Sequence, residues 1–279
     1  MTNNKKSQLF KGASKYFEYF KIGFRTSVEY KSYLIGLLTT PLFMGIFFYF
    51  IWDYIFTVKS AGDPNYTIGG FTFEEMIVYL IIGLLINAAR SSEISDRISE
   101  VIKSGDISIF LCRPVSFVKS LLFQGIGGKV INLVMFTVLL VVMTKLFNLP
   151  YPESGIFVIF LIYAVLLLFF DIVLYVIIGG LAFWFVEIWG IRSSIEQVLW
   201  ILSGRVLPLS LFPVWMQSFL AFTPFMYLEY TFASLYLGKL TFQEALTAMG
   251  IFMIWIFIFL LLMRWIYARG FRKLASFGG

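Results

Sequence analysis

The sequence contains no histidine and only one cysteine, Cys112, among 279 residues. Zinc sites built on imidazole or several thiolates, a Cys-His nucleophile pair and an internal disulfide are excluded with them. Charge is scarce too: 14% of residues are charged and 59% are hydrophobic, whereas soluble domains carry about 25% charged residues. The phosphate-cradling loop G-x-x-x-x-G-K-[ST] is absent. Gly128-Lys129 and Gly238-Lys239 lack the glycine five positions earlier and the hydroxyl that should follow, so the chain does not bind and split ATP by that route. A serine protease of the membrane would need a His or Lys base and an aspartyl one a second acid, but the apolar runs offer only Asp171 near the middle of one helix. Reactive groups work in constellations, and none is present. Nor is there an internal repeat, which weighs against two inverted transporter halves.

What the chain does have is apolar residues in blocks of about twenty, with a mean hydropathy of +0.86. These features predict an all-α polytopic membrane protein. Its net charge of +6 reflects Lys and Arg gathered on inward-facing loops rather than affinity for nucleic acid. The first thirty or so residues are basic and aromatic and lack a compact apolar core ending in small residues, so the first span serves as its own insertion signal.

In residues 1–32, Phe10, Ala13, Phe17, Phe20 and Phe24 recur at spacings of three and four among Lys and Arg. That is an amphipathic helix, suited to lie in the headgroup plane of a lipid leaflet or to pack on a partner helix. Residues 33–279 form the membrane domain. Spans are predicted at Tyr33–Phe56 with Pro41 inside, Phe73–Ala89 opening on Thr72, Glu74 and Glu75, Phe117–Phe147, Ile156–Val186, a fifth from near Ile195, and Phe242–Ile266 before the tail RGFRKLASFGG. The long third and fourth spans call for tilt or protrusion past the lipid. Arg205, Pro208, Pro213 and Pro224 break the fifth, and broken helices at membrane depth survive only where protein or water satisfies the freed backbone. Residues 207–237 are therefore expected as a re-entrant helical hairpin before the sixth span. With both termini inside, eighteen of the twenty-two Lys and Arg fall on the inner side.

The longest polar island, Arg90–Pro114, joins the second and third spans. Ser92 as N-cap, Glu93 and Asp96 in the first turn, and Lys103 with Gly105 at the end predict a helix over 92–106. Ile94, Ile98, Val101 and Ile102 make one apolar stripe along it, opposite a face of Glu93, Asp96, Arg97, Glu100, Lys103 and Asp106. Such a helix either rests on lipid or docks a cytoplasmic partner. Elsewhere, Asp171 is the residue most costly to place in a bilayer. It contacts substrate or protons, or it serves as a structural partner of Arg205 or Lys129 or as a protonated hydrogen-bonding acid. Arg205 and Glu229 pose the same question nearer the outer side.

Three stretches, SGDISIFLCRPVS, EIWGIR followed by SGRVLPLSLFPVW, and TPFMYLEYTFASLYLG, together with the order of helices, resemble the membrane permeases of type-2 ABC exporters, in a viologen-exporter-like branch. The resemblance covers nearly the whole chain. It implies a permease of a prokaryotic inner membrane that pairs with a second copy of itself or a similar permease and with two ATPase subunits. ATP and magnesium would be bound there and no cofactor by this chain. It also implies that the helix over 92–106 is the coupling helix seated in a groove of the ATPase. An ATP-independent transporter or channel, and a non-transporting scaffold or immunity protein, are the competing readings.

Overall fold

A computed structural model describes residues 2–29, 31–60, 62–63, 65–111, 115–146, 154–205 and 207–277. The Cys112-Arg113-Pro114 triplet and most of the NLPYPESG turn lie outside the described residues. Among those described, the regular elements are all helical, with one antiparallel bridge between Ile68 and Phe71. The helices are α1 (Thr2–Glu29), α2 (Lys31–Ser60), α3 (Phe73–Ala88), α4 (Ser92–Lys103), α5 (Ile107–Leu111), α6 (Phe117–Leu146), α7 (Ser154–Gly180), α8 (Trp189–Leu202), α9 (Val214–Ala221), α10 (Tyr230–Tyr236) and α11 (Phe242–Phe277).

Local chemistry sets several starts. Thr72 and Glu75 form a reciprocal capping box at α3: the Glu75 amide donates to the Thr72 hydroxyl and the Thr72 amide to the Glu75 carboxylate. Thr241 and Glu244 repeat the exchange at α11. Five segments are long and apolar enough to cross a membrane: Thr39–Ser60, Phe73–Lys103, Phe117–Val142, Gly155–Phe183 and Phe242–Leu274. The second of these takes in both α3 and α4.

Helix α7 is the hub, packed by α4, α6, α10 and α11, while α2 lies on α3. In a bilayer, helices gain little from hiding apolar surface from one another, so close fit and small residues carry their association. Two apolar clusters result. One gathers Phe136, Phe160, Tyr163, Phe232 and Phe252 around stacked rings, with Phe160 and Phe232 centred 4.4 Å apart and Tyr163 and Phe252 5.2 Å apart. The other lies at the opposite end of α7 and joins Ile98, Ile102, Phe117, Phe183 and Tyr267. Helix α1 runs along the start of α6. Tyr16 stacks on Phe123 and its hydroxyl accepts from the Ser116 amide, and a Cβ on Gly23 or Gly127 would strike the facing backbone at 1.9 or 2.0 Å. Of the two arrangements open to this amphipathic helix, packing on a partner helix is the contact seen.

The predicted elements need four amendments. Ser92 is the first residue of α4 rather than its cap; Ser91 precedes the helix without a side-chain cap bond, and the Ser92 carbonyl receives the Ser95 hydroxyl instead. The expected single helix over 92–106 stops at Lys103, turns through Gly105 and resumes as α5. The segment expected as a fifth of six spans begins six residues early, at Trp189, and α8 has only 14 residues, about 21 Å at 1.5 Å per residue, short of a bilayer crossing, so it is not among the five. The tail beyond Ile266 is helical to Phe277 because Phe271 is held by Phe117, Phe183 and Tyr267.

The broken segment follows a definite path. After α8 the chain turns at Gly204, whose φ of +82° a side chain would strain, and its carbonyl receives the Tyr79 hydroxyl. It reaches the loop before α3, where Ser210 and Leu211 lie against Gly69. Passing α9, it arrives at Glu229, beside Arg90 at the other end of α3. Helix α10 then climbs back, and Lys239 meets Glu75 and the Gly70 carbonyl. The hairpin expected over 207–237 thus goes from one end of α3 to the other and returns.

Candidate functional site

Helix α4 runs parallel to the last turns of α7. Ile98 is fully buried and Ile102 nearly so, and the stripe fits notches left by glycine. A Cβ on Gly179 would come within 2.8 Å of the Ile98 Cβ, and one on Gly125 within 3.0 Å of the Ile94 Cδ1. Protein, not lipid, covers this stripe. Glu93, Asp96, Arg97, Glu100 and Lys103 are exposed on the other side, and Asp106 lies exposed in the turn beyond, bonded to the Ser104 hydroxyl at 2.8 Å. Two of the five reach the connection from α7 to α8 and the first turn of α8: Lys103 meets Glu187 at 2.9 Å and Asp96 pairs with Arg192. Arg192 also donates to the Ser92 carbonyl at 3.2 Å. The EIWGIR stretch is therefore a clasp on α4.

Above α4 sits a buried charge cluster. Arg205 grips Glu229 through Nε, at 2.9 and 2.8 Å from the two carboxylate oxygens, and through a second nitrogen. Its remaining arm donates to Asn87 Oδ1 at 2.6 Å. Arg90 approaches Glu229 at 3.6 Å. Side chains of Arg205 and Glu229 are 7% and 3% exposed, so each charge depends on the other: an ion stripped of water needs a partner close by. Sequence reading placed Arg205 and Glu229 as separate outer-side charges. The fold makes them one pair, because the hairpin carries Glu229 down to Asn87 and Arg90.

Between the two regions is a joint. Lys129 of α6 meets Asp171 of α7 at 3.1 Å and donates to the Ala89 carbonyl, which also receives the Asn132 amide at 3.3 Å. Ala89 closes α3, so two side chains satisfy a carbonyl that the helix leaves without a partner. Of the roles open to Asp171, partnership with Lys129 is what the geometry shows; Arg205 is engaged elsewhere. Asp171 also borders a cavity of about 50 Å³ with Arg90 and Glu229.

A comparison of the sequence with protein families matches the ABC-2 family transporter protein over residues 38–278. The chain belongs to this family. It is a multi-pass membrane transporter subunit, an ABC permease. No curated protein gives a match. ABC-2 permeases are membrane components that work with ATPase subunits and are not themselves the catalysts. In this permease, sequence reasoning missed Arg90, Arg192 and the glycine notches. Arg192 enters the sequence reading as the end of EIWGIR and in the charge count, with no partner on the helix over 92–106 assigned to it.

Proposed function

We propose that this ABC-2 permease is the membrane half of an exporter, with α4 and the turn after it as the element that receives work from the ATPase. The observation that carries the reading is α4 itself: its apolar stripe is locked into α6 and α7, and on its polar face Arg97 and Glu100 stay exposed beside the clasped Asp96 and Lys103. A push on that face moves α7 directly, and α7 touches most of the bundle. Ile109, 53% exposed just beyond the turn, adds an apolar contact at the tip.

Charge distribution supports both termini on the cytoplasmic side of a prokaryotic inner membrane. The first five spanning elements are α2, α3, α6, α7 and α8 with its broken continuation, and α11 is the sixth, with residues 207–237 as a re-entrant hairpin. A second copy of this chain, or a similar permease, completes the path, and two ATPases bind ATP and magnesium. The three quoted stretches support the viologen-exporter-like branch. The competing readings, a gradient-driven carrier or a scaffold, leave the open face of α4 without a task.

The test is co-purification from mild detergent with the ATPase, comparing wild type with Arg97→Glu combined with Glu100→Lys. Both residues are exposed and make no intrachain ion pair among the described residues. Capture of ATPase should fall at least tenfold and ATP-driven export should be lost, while the permease stays monodisperse. Undiminished capture and export would refute the assignment of α4.

A further inference from the structure

A groove of about 740 Å³ opens between α2, α3 and α8, within the range of about 300–1,000 Å³ of small-molecule sites. Its two ends differ in chemistry, and all three helices agree on the direction. Asn87 of α3, Arg90 just beyond its end, Arg205 beside Asn87 and Glu196 of α8 line one end; Phe47 of α2, Leu80 of α3 and Trp200 of α8 line the other. The polar end lies beside Ser92, where α4 begins, and the apolar end lies farther from α4 along the helices, where Phe47 and Trp200 are exposed. An amphiphile standing in the cytoplasmic leaflet has the same order, head below and chain above.

The polar end has a definite preference of sign. Glu196 accepts the Tyr175 hydroxyl at 2.6 Å and lies 3.9 Å from Arg192, while Glu229 is gripped by Arg205. Arg90 stands differently. A guanidinium has five N–H donors, yet Arg90 only touches the Tyr175 hydroxyl and comes no nearer than 3.6 Å to a Glu229 oxygen that already accepts from Arg205. Among the described residues, no carboxylate is within hydrogen-bond distance of it. A largely buried guanidinium, 14% exposed, fits the two oxygens of a carboxylate or phosphate.

We propose that this groove receives a single-chain amphiphile with an acidic head as the permease's cargo, the head on Arg90 and the chain along Phe47 and Trp200. Its standing as cargo rests on the export reading above; the binding itself does not.

The test uses the purified full-length chain in a neutral maltoside detergent, titrated with 9,10-dibromostearate, whose bromines quench nearby tryptophan. Quenching should occur and shrink in Trp200→Phe. Affinity should fall about tenfold or more in Arg90→Gln, the scale of one lost charge-assisted bond, and partly return in Arg90→Lys. Dodecyl phosphate should compete, and the brominated methyl ester should not bind. Equal binding of the ester, or unchanged affinity in a monodisperse Arg90→Gln, overturns the proposal. Competition by dioleoylphosphatidylglycerol as strong as by dodecyl phosphate makes this a bulk-lipid site and overturns the cargo assignment. Absence of Trp200 quenching means a second copy covers the groove and overturns it too. If Arg90→Gln does not fold, acid against ester on the wild type still decides. No ATPase takes part, so failure here is distinct from failure of the coupling assignment.

Discussion

Two of the places where charges stand beside packed apolar side chains in this permease hold them in opposite ways. In the Arg205–Glu229 pair the ions are buried, and the surrounding helices depend on the two being matched. At α4 the ions are exposed, with side chains of Lys103 and Glu187 at 34% and 77%, and Ile98 in its glycine notch does the holding. Broken buried pairs cost several kcal/mol because an unmatched ion remains, whereas exposed pairs contribute about 0–1 kcal/mol. The first region is thus built to stay as it is. The second can exchange its polar partners without loosening the helix that bears them.

The sharpest way to break this contrast is Glu229→Gln. It leaves Arg205 buried without its counter-ion and should cost about 3–5 kcal/mol, read as a lower melting temperature in detergent. Replacing both partners, Glu229→Leu with Arg205→Met, should cost less than the single change, because Arg205 is no longer stranded and only the more exposed Arg90 loses its distant carboxylate. A double variant worse than the single one would show that the pair gives more than mutual neutralisation.

Next in size is the apolar lock. Ile98→Ala empties a fully buried site and should cost about 2–5 kcal/mol, and Gly179→Val should push α4 off α7 from the other side. Both should speed amide exchange across residues 92–103 while leaving α10 protected. Uniform deprotection of the bundle would mean that α4 is not a separable unit.

The joint at Ala89 ranks third. Lys129→Met removes a donor from the Ala89 carbonyl and the cation from Asp171 together, for about 1–3 kcal/mol. Asp171→Asn leaves the carbonyl contact in place and should cost less. The reverse order, measured by thermal melting, would give Asp171 a role of its own.

Which of these features could be read from the chain depends on distance along it. The stripe of α4, the capping box at Thr72 and the break marked by Pro208 and Pro213 are local patterns of period, spacing and lost donors, and each is visible in a dozen residues. The one-residue error at Ser92 is local as well: whether a serine caps depends on the dihedral angles of the preceding turn, which the sequence pattern does not contain. Arg90, Arg205 and Glu229 come from three separate stretches, and only the descent of the hairpin unites them. The Ile stripe announced that something must cover it, but nothing near it in sequence named Gly179. The helical tail was missed because its reason is Phe271 among distant rings.

The smallest expected effect probes the other side of the contrast. Lys103→Met removes an exposed pair to the clasp, with Glu187, and should shift stability by no more than about 1 kcal/mol; Asp96→Asn removes the partner of the more buried Arg192 and should cost somewhat more. The difference should shrink as salt rises from about 0.05 to 0.5 M, since screening acts strongly on exposed charges and weakly on buried ones. If these residues also face the ATPase, its capture should respond to the same substitutions more than stability does. A large loss of stability at high salt would mean that the clasp, and not Ile98, holds α4 in place.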